Sequence, residues 1–306
     1  MSAPRRDERE GSTHPEGLQP PDGNGAPLYA GGCRVEGFSL GGVETAVWLP
    51  ELKIAFDVGR GRQALLRCDH LALTHAHMDH AGGLPYLLAL RKLYGMQPPR
   101  VYCPAQIAGD LLAMVRAWEK AQRYPLLEAV IPVEAGDRHE IARDLWLEPF
   151  RTWHAAPSFG YMLVREKRKL REDLKHVPGP ELARLKREGV VIDRPERQRF
   201  FAVTGDTLPE VVTRQPHICE VETLILECTF LDGRKSLADA RAGGHVHLDE
   251  LQPLAGCFRN GTLVLSHFSQ IYTPREIPGL LQPFEAALAE AGGPALRCLP
   301  MVGATA

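Results

Sequence analysis

Three features are missing from this 306-residue sequence, and each absence excludes or disfavours a class of protein or a cellular location. It has no run of about 18 apolar residues, which excludes a transmembrane helix. No apolar stretch follows Arg5 and Arg6, so we expect no secretory signal, and the acidic residues mixed into the same segment argue against an organelle transit peptide. None of the seven cysteines forms a Cys-X-X-Cys pair, which favours a reducing, cytoplasmic setting.

The remaining sequence divides into a polar start and a long globular part. Residues 1–27 are rich in proline and glycine and predict a disordered tail. Residues 28–306 predict one layered α/β or α+β domain, because strand-prone runs come first and strands then alternate with helices. The expected strands are 33–39, 43–49, 52–57, 70–74, 101–103, 145–150, 160–166, 200–204, 223–227 and 262–266. The expected helices are 81–94, 104–121 and 274–290.

The strongest functional signal is the run from Thr74 to His80, which reads THAHMDH. Within it, His75 and His77 are two residues apart, so an extended segment would direct both rings to one side. Asp79 and His80 follow where the chain turns into a helix, and there they can face a second ion. Imidazole and carboxylate ligands without cysteine favour a catalytic metal site with open positions over a structural zinc site.

This run resembles the HxHxDH motif of the metallo-β-lactamase superfamily, and four later segments resemble ribonuclease Z in the same order. They are TWHAAPSFGY (152–161), TGDT (204–207), LILECTF (224–230) and SHFSQIY (266–272). The resemblance implies an α+β fold, a four-layer αββα sandwich that binds two Zn²⁺ ions per subunit, although Mn²⁺ or Fe also suits such ligands. The implied ligands are His75, His77 and His154 for one ion, Asp79, His80 and His267 for the other, and Asp206 for both.

The resemblance also implies the catalytic groups. Asp79 would orient or deprotonate the nucleophile, His245 would protonate the leaving 3′ oxygen, and Glu227 would orient His245. Taken singly, His154 and His267 could be packed histidines at strand ends, and Asp206 could be a turn residue. A polar loop, or a helix start capped by Asp249, is the alternative for His245 and His247. The sequence departs from the family at His247, where a small hydroxyl residue is usual, and in the turn 58–63.

A basic segment, residues 165–199, interrupts the domain between His154 and Asp206. It holds 12 of the 36 Lys and Arg residues and only 7 of the 38 acidic ones, which gives this segment a net charge of +5 in a chain of −2. Such a concentration suits a phosphate-backbone contact, although a solvated pair of charged helices is the alternative. Ribonuclease Z carries a tRNA-binding arm at this place. The resemblance therefore implies RNA contacts at Lys167, Arg168, Lys169, Gly179, Pro180, Lys186 and Arg187.

Three functions remain open from the sequence. The first is a zinc-dependent endoribonuclease that removes the 3′ trailer of tRNA precursors through attack of metal-activated hydroxide on a phosphodiester. The second is a hydrolase of the same fold that acts on a small phosphodiester, ester or lactone, which Arg60, Arg62 and His247 favour. The third is an interaction protein with a decayed site, which the filled ligand positions oppose. The expected partners are a tRNA precursor or another phosphodiester and, by resemblance, a second subunit in a homodimer, with no membrane.

Overall fold

The computed structural model describes residues 27–300, and these form fourteen strands and eight α-helices. The predicted tail lies outside this range except for Pro27. The strands are β1 (Leu28–Ala30), β2 (Cys33–Leu40), β3 (Glu44–Leu49), β4 (Ile54–Phe56), β5 (His70–Ala72), β6 (Arg100–Pro104), β7 (Ile131–Val133), β8 (His139–Ala142), β9 (Leu145–Arg151), β10 (Phe159–Leu170), β11 (Asp193–Val203), β12 (Thr223–Glu227), β13 (Thr262–Ser266) and β14 (Ala295–Cys298). The helices are α1 (Met78–Ala81), α2 (Leu84–Leu93), α3 (Ala105–Gln122), α4 (Gly179–Arg187), α5 (Glu210–Arg214), α6 (Leu237–Gly243), α7 (Leu248–Leu251) and α8 (Ile277–Glu290).

The strands form two seven-stranded sheets with the same internal plan. The first sheet has the order β1-β2-β3-β4-β5-β6-β7 and the second β14-β13-β12-β11-β10-β9-β8. In each sheet the first four strands along the chain pair antiparallel and the last four pair parallel. The two halves of the chain are therefore related as a structural repeat, although the sequence shows none.

The sheets pack face to face because their strands alternate between two apolar faces. On β12, Ile225 points into the core between the sheets, whereas its neighbours Leu224 and Leu226 pack against the helices outside. The same alternation places Val264 of β13 in the central core and Leu263 with the outer helices. The result is helix, sheet, sheet, helix, which confirms the predicted four-layer αββα sandwich.

The basic segment 165–199 extends from the second sheet. β9 pairs with β10 as far as Arg165, but β10 and β11 continue to pair with each other out to Leu170 and Asp193. This end of the hairpin is therefore a two-stranded ribbon, and α4 lies in the connection at its tip. We call residues 165–199 the arm.

The sequence predicts that the seven cysteines are buried small apolar residues, and five of them are buried in the structure. Cys257 and Cys298 are exposed instead. All seven are unpaired. Across residues 27–300, none of the helices has the length and apolar character needed to cross a membrane.

Candidate metal centre

Seven side chains converge at one edge of the sandwich because each follows the end of a strand. His75 follows β5, His154 follows β9, and Asp206 follows β11. β5 runs parallel to β4 and β6, while β11, β12 and β13 run parallel in the other sheet, so their carboxyl ends share this edge. The structure brings together all seven residues that the sequence assigns to metal: His75, His77, Asp79, His80, His154, Asp206 and His267.

Asp206 lies between two groups of ligands and offers a different oxygen to each. Its Oδ2 is 3.6 Å from Nε2 of His75 and 4.0 Å from Nε2 of His154. Its Oδ1 is 3.3 Å from Nε2 of His80 and 3.4 Å from Nε2 of His267. This buried carboxylate is therefore placed to bridge two neighbouring ions.

Four of the five candidate histidine ligands are oriented by hydrogen bonds at their other ring nitrogen. Nδ1 of His80 donates to Oδ2 of Asp57 at 2.7 Å, and Nδ1 of His154 donates to the carbonyl of Gly244 at 2.9 Å. Threonine hydroxyls accept from Nδ1 of His75 at 3.0 Å and of His267 at 2.9 Å. Each bond leaves the lone pair of Nε2 directed at the cluster, as metal ligation requires.

The donor set fits divalent ions on two further counts. Nε2 of His75 and Oδ1 of Asp206 are buried without a hydrogen-bond partner among the described residues, which is costly unless something else satisfies them. Burial lowers the pKa of His75 and so keeps its ring neutral. Burial opposes ionisation of Asp206, but the rings of His267 and His80 outweigh it and hold the pKa of this carboxyl well below its usual range. Neutral imidazole and ionised carboxylate are the forms that bind metal.

Two backbone positions are fixed by the close approach of these segments. Gly205 has φ of 61°, and a Cβ there would lie 2.6 Å from Cβ of Thr74, so the turn before Asp206 requires glycine. His267 has φ of 63°, which is strained for a residue with a side chain. Its backbone N–H donates to Oγ of Ser39 at 3.0 Å, and this contact from the other sheet holds the strained ligand.

Glu227 organises the residue that the sequence assigns as proton donor. Its Oε1 is 3.0 Å from Nδ1 of His245 and also accepts from the backbone N–H of Thr207 at 2.9 Å. Its Oε2 accepts from the hydroxyl of Thr229 at 2.7 Å and from the backbone of Val246 at 3.3 Å. Burial opposes protonation of His245, yet the carboxylate of Glu227 outweighs it and raises the pKa of His245 to about 9.

The two departures from the family pattern prove to have structural roles. His247, rather than Asp249, caps α7: its Nδ1 accepts from the backbone N–H of Asp249 at 3.2 Å. In the turn 58–63, the guanidinium of Arg62 forms two hydrogen bonds to the buried Glu44 and lies 3.9 Å over the ring of Phe38. The Arg62 side chain is therefore held against the domain.

A cavity of about 240 Å³ opens beside the cluster. Trp153, the ligand His154 and Leu208 line it, together with Arg241. The guanidinium of Arg241 forms ion pairs with Glu210 and Glu250, and these hold its side chain at the side of the cavity. The cavity provides space directly next to the candidate metal ligands.

The family model described as β-lactamase superfamily domain matches residues 53–268, the part of the chain that contains the whole cluster. tRNase Z TRZ1 of Arabidopsis thaliana is 36% identical over 248 residues, which cover 80% of this chain and 89% of the relative. The chain belongs to the tRNase Z family of the β-lactamase superfamily. Chloroplastic tRNase Z TRZ2 of the same plant is also 36% identical, over 79% of this chain and 69% of the relative. Membership in this family implies divalent metal binding at the cluster.

A solved structure agrees with this tRNase Z fold. The short form of human tRNase Z has a TM-score of 0.54 and 21% identity, covering 78% of this chain and 93% of the human chain. At that identity the likeness concerns the fold alone.

Sequence reasoning missed the residues that orient this tRNase Z site. Asp57 accepts hydrogen bonds from His80 and, at 2.7 Å, from the backbone N–H of Thr74. Thr229 connects Glu227 to His267. The position of Asp57 between a buried strand and a glycine-rich turn is a signal that could have found it. Nothing in the local sequence identifies Thr229 as a partner of His267, because these two residues are 38 positions apart in the chain.

Proposed function

We propose that the chain is a zinc-dependent endoribonuclease that cleaves the 3′ trailer from tRNA precursors. Its relatives at 36% identity are named tRNase Z, and they match about four-fifths of the chain. The observation that carries the hydrolytic chemistry is the placement of Asp206 between two groups of histidine nitrogens. An arrangement of this kind serves two-metal hydrolysis of phosphodiesters.

Two Zn²⁺ ions would be held in the pattern expected from the sequence. His75, His77 and His154 would hold one, Asp79, His80 and His267 the other, and Asp206 both. The chemistry that such ions would supply at these residues is a lowered pKa of a bound water and stabilisation of charge on the phosphoryl oxygens. Mn²⁺ and Fe remain compatible with the same ligands.

The protein's own groups would supply orientation and proton transfer. Oδ2 of Asp79 accepts from the backbone N–H of Gly42 at 2.8 Å, which fixes the carboxylate where it can accept a hydrogen bond from the attacking water. Nδ1 of His245 is engaged by Glu227, which leaves Nε2 to carry the proton that the leaving 3′ oxygen receives. Trp153 and the cavity beside it would hold the nucleotide next to the scissile phosphate.

The arm would bind the phosphate backbone of the tRNA, but its cations are not equivalent. Arg168 is paired with Asp193, and Lys169 with Glu196. By contrast, Lys186 and Arg187 of α4 form no ion pair among residues 27–300. Lys167 is likewise unpaired with any acid in the described part of the chain. We therefore expect these three cations to make the main phosphate contacts, while Gly179 and Pro180 shape the start of α4.

The arm proposal can be tested on one helix with three matched substitutions. Arg184 lies on α4 too, but it is paired with Glu181 and Glu188. Binding of tRNA is measured against salt concentration for R184Q, K186Q and R187Q. Each lost phosphate contact lowers the slope of log K against log salt by about 0.7–0.9. We expect this loss for K186Q and R187Q and little change for R184Q.

The same measurements distinguish RNA from a small ester as substrate. Loss of tRNA binding in K186Q with unchanged turnover of a small phosphodiester supports an RNA substrate, since the metal site is untouched. A wild-type affinity for tRNA that does not change with salt would contradict it. An equal loss of tRNA binding and of phosphodiester turnover in K186Q would mean that the arm supports the fold.

The homodimer and the cytoplasmic location stay predictions. The homodimer follows only from the family resemblance, and sedimentation of the purified chain would test it. The location is expected from the amino-acid composition of the chain, while one of the relatives is named chloroplastic. Fractionation of the source cells would distinguish the two compartments.

A further inference from the structure

His247 is a buried histidine that the proposed mechanism does not use. Its side chain is 1% exposed, and both ring nitrogens are engaged. Nδ1 accepts from the backbone N–H of Asp249 at 3.2 Å and so caps α7. Nε2 lies 3.1 Å from the carbonyl of Asp232 and 3.2 Å from that of Lys235. Because carbonyl oxygens only accept, Nε2 carries the proton and the ring is the neutral Nε2–H tautomer.

These bonds close the base of the loop that carries the proton donor. The chain leaves β12, passes through Phe230, forms α6 and returns at His245. Backbone bonds join the two ends: the N–H of Phe230 donates to Val246, and the N–H of Leu248 donates to Phe230. His247 adds two bonds from the return segment to carbonyls at 232 and 235 on the outgoing segment.

The hydrogen bonds that join the two ends of this loop determine where the ring of His245 lies. That ring is held between the carboxylate of Glu227 on one side and the edge of Phe230, with centroids 6.2 Å apart, on the other. The Phe230 backbone is bridged directly to His247. If the two bonds from Nε2 of His247 are lost, the outgoing segment can move away and His245 loses its lateral support.

We propose that His247 is a positioning residue that fixes His245 for proton donation, so that it matters chiefly for substrates with a poor leaving group. The inference rests on the proposed function. In that reaction the oxygen of the attacking water would bond to phosphorus while Asp79 accepts a proton from that water. The P–O3′ bond would break, and the leaving 3′ oxygen would take a proton from Nε2 of His245. A nitrophenolate leaving group departs as a stable anion and needs no such proton. The ratio of the two activities therefore reports the position of His245 separately from the metal site.

The experiment separates the two functions of the imidazole with two substitutions. H247N keeps an acceptor where Nδ1 was, and asparagine is a good helix cap, but it loses the donor to the carbonyls. H247Q keeps a donor near the position of Nε2 and loses the cap. Each protein is loaded with zinc, its metal content is measured, and kcat and KM are determined for a 3′-extended tRNA precursor and for bis(p-nitrophenyl) phosphate.

For H247N we expect kcat on the RNA to fall about ten-fold, which corresponds to a rise of about 1.4 kcal/mol in the activation free energy. The KM for the RNA and the turnover of the nitrophenyl ester should stay within about two-fold of wild type. H247Q should keep most of the RNA activity. H245A, which removes the proposed donor itself, should lose more of the RNA activity than H247N does. If H247N does not fold, H247T, whose hydroxyl also caps the helix, takes its place.

Two results would overturn the inference. Equal loss of both activities in H247N would mean that His247 only stabilises the fold. Wild-type values of both activities in H247N would mean that His245 does not depend on His247. Either result, with wild-type protein that cleaves the precursor, leaves the proposed function intact. A wild-type protein that cleaves no precursor removes the proposed function, and the inference falls with it.

Discussion

Replacement of Asp57 by asparagine tests whether a carboxylate that binds no metal orients the metal ligand His80 through a hydrogen bond. Asp57 is buried and binds no ion in our account, yet it accepts from Nδ1 of His80 at 2.7 Å and from the N–H and hydroxyl of Thr74. Its φ of 56° is one that asparagine tolerates, so the backbone adds no strain. The substitution therefore changes the hydrogen bonding and the charge with almost no change in shape.

The expected magnitude follows from these contacts. The side-chain amide that D57N introduces has one oxygen, which can serve the N–H of Thr74, and its NH₂ group then faces the Nδ1–H of His80. Loss of one charge-assisted bond destabilises the metal-free protein by about 1.5–3 kcal/mol. His80 must then turn or change tautomer, and loss of such a partner typically weakens metal binding by about 10–100-fold. That range corresponds to about 1.4–2.8 kcal/mol.

Metal affinity is measured by competition with a chromogenic chelator, and stability of the metal-free protein by urea unfolding. Asp69 provides the matched control, since it is half-exposed, precedes the neighbouring strand β5 and pairs with Lys53 and Arg91 away from the site. We expect D69N to bind zinc as the wild type does. If D57N also binds zinc within two-fold of wild type, His80 does not need its carboxylate partner and the reasoning is refuted.

Four further changes have defined outcomes. G244A places a Cβ 2.7 Å from Nδ1 of His154, so zinc affinity in the chelator assay should fall at least about ten-fold. R91M removes the hydrogen-bond donors to three carbonyls, of which that of Cys68 is buried, and should lower the free energy of unfolding in urea by about 1–3 kcal/mol; a change below about 0.5 kcal/mol would contradict this. Burial opposes ionisation of Glu119, but two backbone N–H groups and Arg116 outweigh it and lower its pKa to about 2. Its contribution is therefore present above pH of about 4.5 and lost as the pH falls towards 2, and acid unfolding of E119Q should lack this component. Chelation of the metal should abolish hydrolysis and lower the melting temperature, and zinc should restore both.

The sequence predicts the part of the metal site whose residues lie close together in the chain. His75, His77, Asp79 and His80 lie within six residues, and their spacing alone indicates a metal site. His154, Asp206 and His267 are each ordinary strand-end residues in isolation, and only the family resemblance unites them. Their meeting depends on the parallel pairing of β11, β12 and β13, a long-range property that local patterns do not encode.

Other features could not be predicted from the sequence, because they depend on strand register and on sheet topology. The charge count of the arm is correct, but ion pairs such as Arg168 with Asp193, 25 residues apart, depend on the register of β10 and β11. In the sequence, Asp249 is one alternative as the cap of a helix start, whereas in the structure the imidazole of His247 caps α7. Strand-prone runs predict ten of the fourteen strands and miss β1, β7, β8 and β14, which are only three or four residues long. The structural repeat of the two halves depends on topology and leaves no sequence period.

The central claim, a two-metal centre that cleaves tRNA precursors, is tested most directly by mapping the products from a 3′-extended precursor. The zinc-loaded protein is compared with H75A, D206A and the control H139A, whose histidine lies on β8 outside the cluster. We predict cleavage after the discriminator base by the wild type and H139A, and none by H75A or D206A. Intact RNA together with metal-dependent turnover of a small ester would contradict the claim and place the protein among small-substrate hydrolases.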